Sequence, residues 1–182
     1  SQTAPPTART KIRLQFAAGR ELRFSSSGDE GLVQAVRGDE FSDSGALEKL
    51  GIDPLSEELT LELFESLASK NSRSTLKGFL LNQKAIAGIG NEYADEICFQ
   101  AGVRPDLKVA DLGKEQLQRL HRYLKRVLRR ATLHSSAAHS DPGWLINSRR
   151  SGSSCPRCQH ALESRRTTGR KTVICPRCQR AA

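Results

Sequence analysis

Four cysteines constrain this chain more than any other feature. They read Cys155-Pro-Arg-Cys158 and Cys175-Pro-Arg-Cys178 with sixteen residues between the pairs, a C-x2-C-x16-C-x2-C spacing within the range of structural metal sites. Each C-x2-C turn aims two thiolates at one centre, and two turns complete a tetrahedral shell with no position open to water. That shell suits one zinc ion in a structural role, and thiolate binding lends folding free energy to a segment too short for its own core. Two disulfides or a redox C-x2-C are the alternatives. They are disfavoured because the motif is doubled and a reducing compartment keeps thiols unpaired.

Between the cysteine pairs, residues 160–163 and 172–174 read as two short strands. The arginine-rich stretch 165–170 joins them, and its Thr168-Gly169 suits a tight turn. The segment is thus a zinc ribbon with a basic hairpin tip. The fifth cysteine, Cys98, stands alone in an apolar helical pattern and reads as core.

Charge is distributed unevenly. Residues 1–70 carry 8 Lys/Arg and 12 Asp/Glu, whereas residues 71–182 carry 21 and 8. From Trp144 onward, nine basic side chains face only Glu163. Such asymmetry is the footprint of a nucleic-acid or anionic-surface binder, with a solvated basic face as the bland alternative. An aromatic content of 5% argues against a single-strand stacking platform. No apolar run approaches the roughly 18 residues of a membrane span and no signal segment opens the chain. The expectation is therefore an intracellular protein, cytoplasmic and nucleoid-associated, or nuclear if eukaryotic, with no membrane partner. The chain has no Met, so Ser1 is not a translation start and a processed or excised piece is expected.

Residues 1–10 are polar and Pro-rich and read as a disordered tail. Ile12, Leu14 and Phe16 then alternate with polar residues. After a turn at 18–20 the alternation resumes with Leu22 and Phe24, which is a β-hairpin with one apolar face. Two strands alone are marginal, so they belong to a larger sheet. A loop over 25–30 and a third strand over 32–36 follow.

From Leu47 the period becomes helical. Ser56 reads as an N-cap before Leu59, Leu63 and Leu67. Ser74 caps a second helix, and Asn91 opens a third that ends near Gly102. A long helix runs from Asp111 to about Leu133. Its stripe of Leu117, Leu120, Leu124, Val127, Leu128 and Ala131 faces a core. Arg119, Arg122, Arg126, Arg129 and Arg130 form either a solvated face or phosphate contacts. Residues 134–143 read as a linker.

The turn Gly88-Ile89-Gly90-Asn91 runs straight into a helix start. Glycines allow close backbone approach, and free N–H groups at a helix N-terminus bind anions. Asn91 can cap that helix and donate its amide, and Lys77 upstream can add a point charge. A ligand-free helix-hairpin turn would look the same.

The composite is more specific than its parts. Residues 76–97, LKGFLLNQKAIAGIGNEYADEI, are followed by AGVRP at 101–105, and the ribbon carries Gly169-Arg170 and CPRCQ at 175–179. Over residues 47–182 this resembles the helix–two-turn–helix domain and zinc finger of the formamidopyrimidine-DNA glycosylase / endonuclease VIII family. The 11–24 hairpin resembles the last strands of that family's N-terminal β-sandwich. The resemblance implies a mainly α fold with small β: a helix–two-turn–helix bundle plus a C-terminal four-cysteine zinc ribbon, preceded by a remnant β-hairpin. It divides the chain into 1–46, 47–140 and 141–182. It implies one structural zinc on Cys155, Cys158, Cys175 and Cys178. It also implies double-stranded DNA, with or without a lesion or abasic site, held through Lys77, Asn91, Arg170, Gly88, Gly90 and Arg150. Tyr93, in the turn motif, is expected to pack.

The departures matter equally. The family's N-terminal proline and glutamate and its lobe lysine have no match here. Residues 27–30, Ser-Gly-Asp-Glu, stand where an arginine- and phenylalanine-bearing wedge is expected. The family's tyrosine-glycine-arginine appears as Ser148-Arg149-Arg150, so only Arg150 matches. Two readings follow. One is a DNA-binding module without base excision. The other is the binding half of a glycosylase/AP lyase whose catalytic lobe lies elsewhere. A ribosomal or topoisomerase helix–two-turn–helix protein is a third, opposed by the attached ribbon.

Overall fold

The computed structural model describes residues 5–17, 19–26, 33, 37, 49–133 and 142–180. The chain forms two compact units, Ser1–Ser44 and Gly45–Ala182.

In the first unit, β1 (Thr10–Gln15) pairs antiparallel with β2 (Glu21–Ser25), with Ile12 opposite Phe24 and Leu14 opposite Leu22. Cross-strand partners share a face, so one side of the hairpin is an apolar stripe. Leu14, Phe16 and Leu22 are each more than half exposed among the described residues. Residues 5–10 were expected to be a disordered tail, but they extend the hairpin instead: Ser26 N–H donates to the Arg9 carbonyl and Arg23 to that of Pro5. The loop at 27–30 lies outside the described residues, as does all but Val33 of the third strand expected at 32–36.

The described residues of the second unit hold four α-helices: α1 (Leu61–Lys70), α2 (Leu76–Leu80), α3 (Asn91–Ala101) and α4 (Lys114–Leu133). The first begins later than the sequence suggests. Asp53 accepts the Leu55 N–H and the Ser56 hydroxyl donates to the Asp53 carbonyl, making a closed turn. Leu59 is buried ahead of the helix, and Thr60 caps α1 by accepting the Leu63 N–H at 3.2 Å. Likewise Thr75, not Ser74, caps α2, because the Ser74 carbonyl is bonded to the Val109 N–H. Gly102 at φ +68° ends α3 as expected, a conformation costly for a residue with Cβ. A short 3-10 turn, Val109–Asp111, precedes α4, which therefore starts three residues after Asp111.

These helices bury one core of Phe64, Leu76, Phe79, Leu80, Ile86, Ile89, Ile97, Leu120 and Leu124. The Phe64 and Phe79 rings lie 5.5 Å apart and tilted, a favoured aromatic geometry. Cys98 is fully buried and its thiol pKa is pushed well above its ordinary value, so it is core and unreactive. Tyr93 packs against the same core.

The ribbon strands are β3 (Glu163–Thr167) and β4 (Arg170–Ile174), so much of the expected 165–170 loop is ladder. Only Thr168 and Gly169 turn, both at positive φ (53° and 75°), the signature of a tight two-residue hairpin. A second apolar cluster of Leu145, Leu162 and Val173 closes over Phe99 of α3. The ribbon is thereby fixed to the helices.

Candidate metal centre and nucleic-acid interface

The four ribbon cysteines converge, with all Sγ atoms within 4.8 Å of one another. Cys155 and Cys178 are 3.9 Å apart, Cys158 and Cys175 3.5 Å. A tetrahedron with zinc–sulfur bonds of about 2.3 Å has edges of about 3.8 Å, so the set fits zinc and is far too open for disulfides. The knuckles repeat each other: Gln159 N–H donates to the Cys155 carbonyl and Gln179 N–H to that of Cys175. Backbone N–H groups of Arg157 and Cys178 donate to the sulfurs of Cys155 and Cys175, both at 3.4 Å. The site is a closed four-thiolate shell for one structural zinc ion.

That shell sets the hairpin tip beside α2 and the start of α3. A groove of about 820 Å³ opens there, lined by Arg73, Gln83, Gly88, Gly90, Asn91, Thr168 and Arg170 among others. Gly78 permits the approach, since a Cβ there would meet Thr168 Cγ2 at 3.2 Å and Thr75 Oγ1 at 3.1 Å. Asn91 is half-buried at the first turn of α3, and its Oδ1 is buried without a hydrogen-bond partner. Gly90 is the N-cap of that helix, and a Cβ on Gly88 or Gly90 would enter open space. Arg170 lines the opposite wall from the tip.

Gln83 organises the turn, and sequence reasoning missed it. Its Oε1 accepts the Gly88 N–H at 2.8 Å, while its Nε2 donates to the carbonyls of Ile89 at 3.0 Å and Leu81 at 3.2 Å. The Gly88 N–H is thus committed inside the protein. Gly88, at φ +77°, shapes the turn rather than offering a donor.

Two expected site residues lie elsewhere. Lys77 is fully buried, and its Nζ donates to Asp95 Oδ1 at 2.6 Å, the Lys171 carbonyl at 2.8 Å and Thr172 Oγ1 at 2.9 Å. An ammonium with three acceptors and no exposure has nothing left for a phosphate; burial draws its pKa down and Asp95 partly restores it. Arg150 is exposed but does not line the groove. Its neighbour Arg149 turns inward, donating from Nη2 to Asp95 Oδ2 at 2.6 Å. Asp95 also accepts the Val173 N–H at 3.1 Å, so one buried carboxylate ties α2, α3 and β4 together. No local pattern marks Asp95 as that hub.

Glu96, its neighbour, is also fully buried. It accepts from Gln100 Nε2 at 2.6 Å and from the Ile146 N–H at 2.9 Å. Burial outweighs these bonds and raises its pKa to about 7.

Against known proteins, residues 50–140 match the model of the formamidopyrimidine-DNA glycosylase H2TH domain, and residues 152–181 that of the zinc finger found in FPG and IleRS. The chain is 31% identical to the formamidopyrimidine-DNA glycosylase of Shouchella clausii, an alignment covering 97% of this chain and 68% of the relative. It is 32% identical to that of Colwellia psychrerythraea, covering 98% and 69%. Among solved structures, the MutM (Fpg) protein of Thermus thermophilus is similar at 33% identity and TM-score 0.74, covering 96% of this chain and 70% of that one. The Lactococcus lactis Fpg, non-covalently bound to DNA containing an AP site, is similar at 25% identity and TM-score 0.79, covering 98% and 68%.

Proposed function

This chain belongs to the formamidopyrimidine-DNA glycosylase family, and on that premise we propose that it grips duplex DNA, damaged or not, in the groove between α3 and the ribbon tip. The observation that carries the reading is the convergence of Arg170, Asn91 and the α3 N-terminus on one groove. The guanidinium supplies a charged donor, the amide a neutral one, and the helix end its unpaired N–H groups. Such phosphate contacts position a duplex without reading its sequence. Gly90 lets the backbone come close; Gly88 and Gln83 fix the turn.

In this reading the described groove residues bind and do not excise. Among the described lining residues of the groove the charged groups are guanidiniums, and none is a carboxylate or primary amine. Nucleophilic amine chemistry needs an unprotonated amine next to a general acid or base. We divide the chain by role into 1–46, the apolar hairpin; 47–140, the helical DNA-binding part; and 141–182, the ribbon. The place of action is the bacterial chromosome.

A second reading is favoured by the hairpin's exposed Leu14, Phe16, Leu22 and Phe24. A two-stranded sheet with an open apolar face suits a larger sandwich, which would make this chain the binding half of an active glycosylase/AP lyase. Borohydride trapping on an abasic-site duplex, run beside salt-dependent binding to the same duplex, tests whether an amine of this chain is placed for lyase chemistry. A stoichiometric adduct overturns the first reading; binding without one means that this chain grips DNA and that any excision chemistry lies outside it.

A further inference from the structure

The exposed side of α4 carries a charge pattern that the groove does not use. Over Lys114–Leu133 stand seven Lys or Arg and a single acid, Glu115. Leu120, Leu124, Val127 and Leu128 turn inward, which leaves Arg119, Arg122, Arg126, Arg129 and Arg130 exposed. Like charges recur at i, i+3 and i, i+4, as in Arg119–Arg122, Arg122–Arg126 and Arg126–Arg130, spacings at which they oppose helix formation. Glu57 lies 3.4 Å from Arg129, with both side chains largely exposed. A polyanion laid along the face would relieve that repulsion.

The face is also shaped. Arg122 and Arg126 both lie against the Tyr123 ring, 5.7 and 5.9 Å from its centroid, so two guanidiniums are held along the surface. A concavity of about 770 Å³ is lined by basic α4 side chains from His121 to Arg130. A second, of about 310 Å³, lies between Arg126, Arg130, Gln100 and Trp144. The groove sits at the N-terminal end of α3, at Gly90 and Asn91, whereas this face flanks its C-terminal end at Gln100, about 14 Å away at a rise of 1.5 Å per residue. No described residue lines both. From Arg119 to Arg130 the helix runs about 16 Å, a length over which a duplex presents about ten phosphates.

We propose that this face is a second binding site for the backbone of duplex DNA, so that a chain seated on one duplex through its groove holds another through α4. The proposal rests on the DNA reading of the groove, because the same polyanion is the partner of both sites. Charge complementarity is its basis, and the contacts are independent of sequence.

The test uses the zinc-loaded chain and two short duplexes, one donor-labelled and one acceptor-labelled, each too short to span both sites. Energy transfer is read with the complex's stoichiometry measured by sedimentation. The expected result is one chain holding two duplexes, with the second lost as salt rises. Arg122→Glu/Arg126→Glu/Arg129→Glu should weaken the second duplex by about tenfold or more and leave the first nearly unchanged; the corresponding glutamine variant repeats the test without reversing charge. One duplex per chain in the unaltered protein overturns the proposal and leaves the groove reading intact. Charge-dependent capture by phosphatidylglycerol vesicles in place of the second duplex overturns it as well. If Asn91→Ala/Arg170→Ala binds like the unaltered chain while the α4 variant binds nothing, the groove reading has failed and the two-site proposal falls with it.

Discussion

Lys77 and Asp95, eighteen residues apart, meet as a 2.6 Å ion pair with both side chains fully buried. Arg149 and the Val173 N–H complete the shell around the carboxylate. The pair joins the helix before the glycine turn to the helix after it, and both to the ribbon strand that carries Arg170. The groove's geometry therefore depends on a fully buried electrostatic contact.

Removing Asp95 leaves the buried Lys77 ammonium without a carboxylate and takes from Arg149 the closer of its two, Glu92 remaining at 3.6 Å. Asp95→Ala should cost about 3–5 kcal/mol, the range for breaking a buried pair from one side. The double variant Lys77→Met/Asp95→Ala should cost less than the sum of its singles, because it removes an orphaned ammonium. Urea denaturation of the zinc-loaded chain measures both. A cost for Asp95→Ala under about 1 kcal/mol would mean that Lys77 and Arg149 reach water, contrary to their burial.

Lys77 and Arg170 should also differ on DNA. Arg170→Ala is expected to lower the slope of log affinity against log salt by about one and to weaken binding alike across sequences. Lys77→Met is expected to leave that slope unaltered once its folded fraction is accounted for. Asn91→Ala should weaken binding with little change in slope, since an amide releases no counterion. A reduced slope for Lys77→Met would restore the lysine to the phosphate contacts.

The pKa of Glu96 makes stability depend on pH with a defined sign. Its native value is about 7 against an ordinary value of 4.5, so between those values the native state holds a proton that the unfolded state has released. Its contribution is therefore greatest below about pH 4.5, falls as pH rises to about 7, and is constant above, a loss of roughly 2–4 kcal/mol. Glu96→Gln should remove this contribution to the slope between about pH 4.5 and 7. Comparing the two proteins at saturating zinc cancels the thiolates' own titration. Parallel stability curves would show that Glu96 is ionised in the native state throughout.

Zinc removal reaches the groove through the ribbon. Chelation should unfold residues 152–180, because their apolar cluster is small and partly borrowed from Phe99 and Leu145. DNA affinity should fall at least as far as in Arg170→Ala, while the helical content of α1–α4 persists by circular dichroism. Unchanged affinity in zinc-free protein would take the ribbon out of the interface.

What the sequence determined by itself was local. Each C-x2-C turn needs only its own few residues to aim two thiolates, and Thr168-Gly169 needs only its own φ angles to close the hairpin. Gly102 stops α3 for the same reason. The stripe of α4 was legible because its period is a property of one helix. The family motif at 76–105 named the groove's floor, with Gly88, Gly90 and Asn91 in place. Tertiary structure decided what each polar group meets. Lys77 read as a phosphate ligand because a lysine beside a glycine turn ordinarily reaches solvent; its acceptors come from Asp95 and from Lys171 and Thr172, 94 and 95 residues away. Arg149 and Arg150 are adjacent and alike in sequence, yet one is half-buried on Asp95 and the other exposed. Gln83 offered no pattern at all. A hydrogen bond's worth is set by whether water can compete for its partners, and that exclusion exists only after the helices and the ribbon have closed on one another.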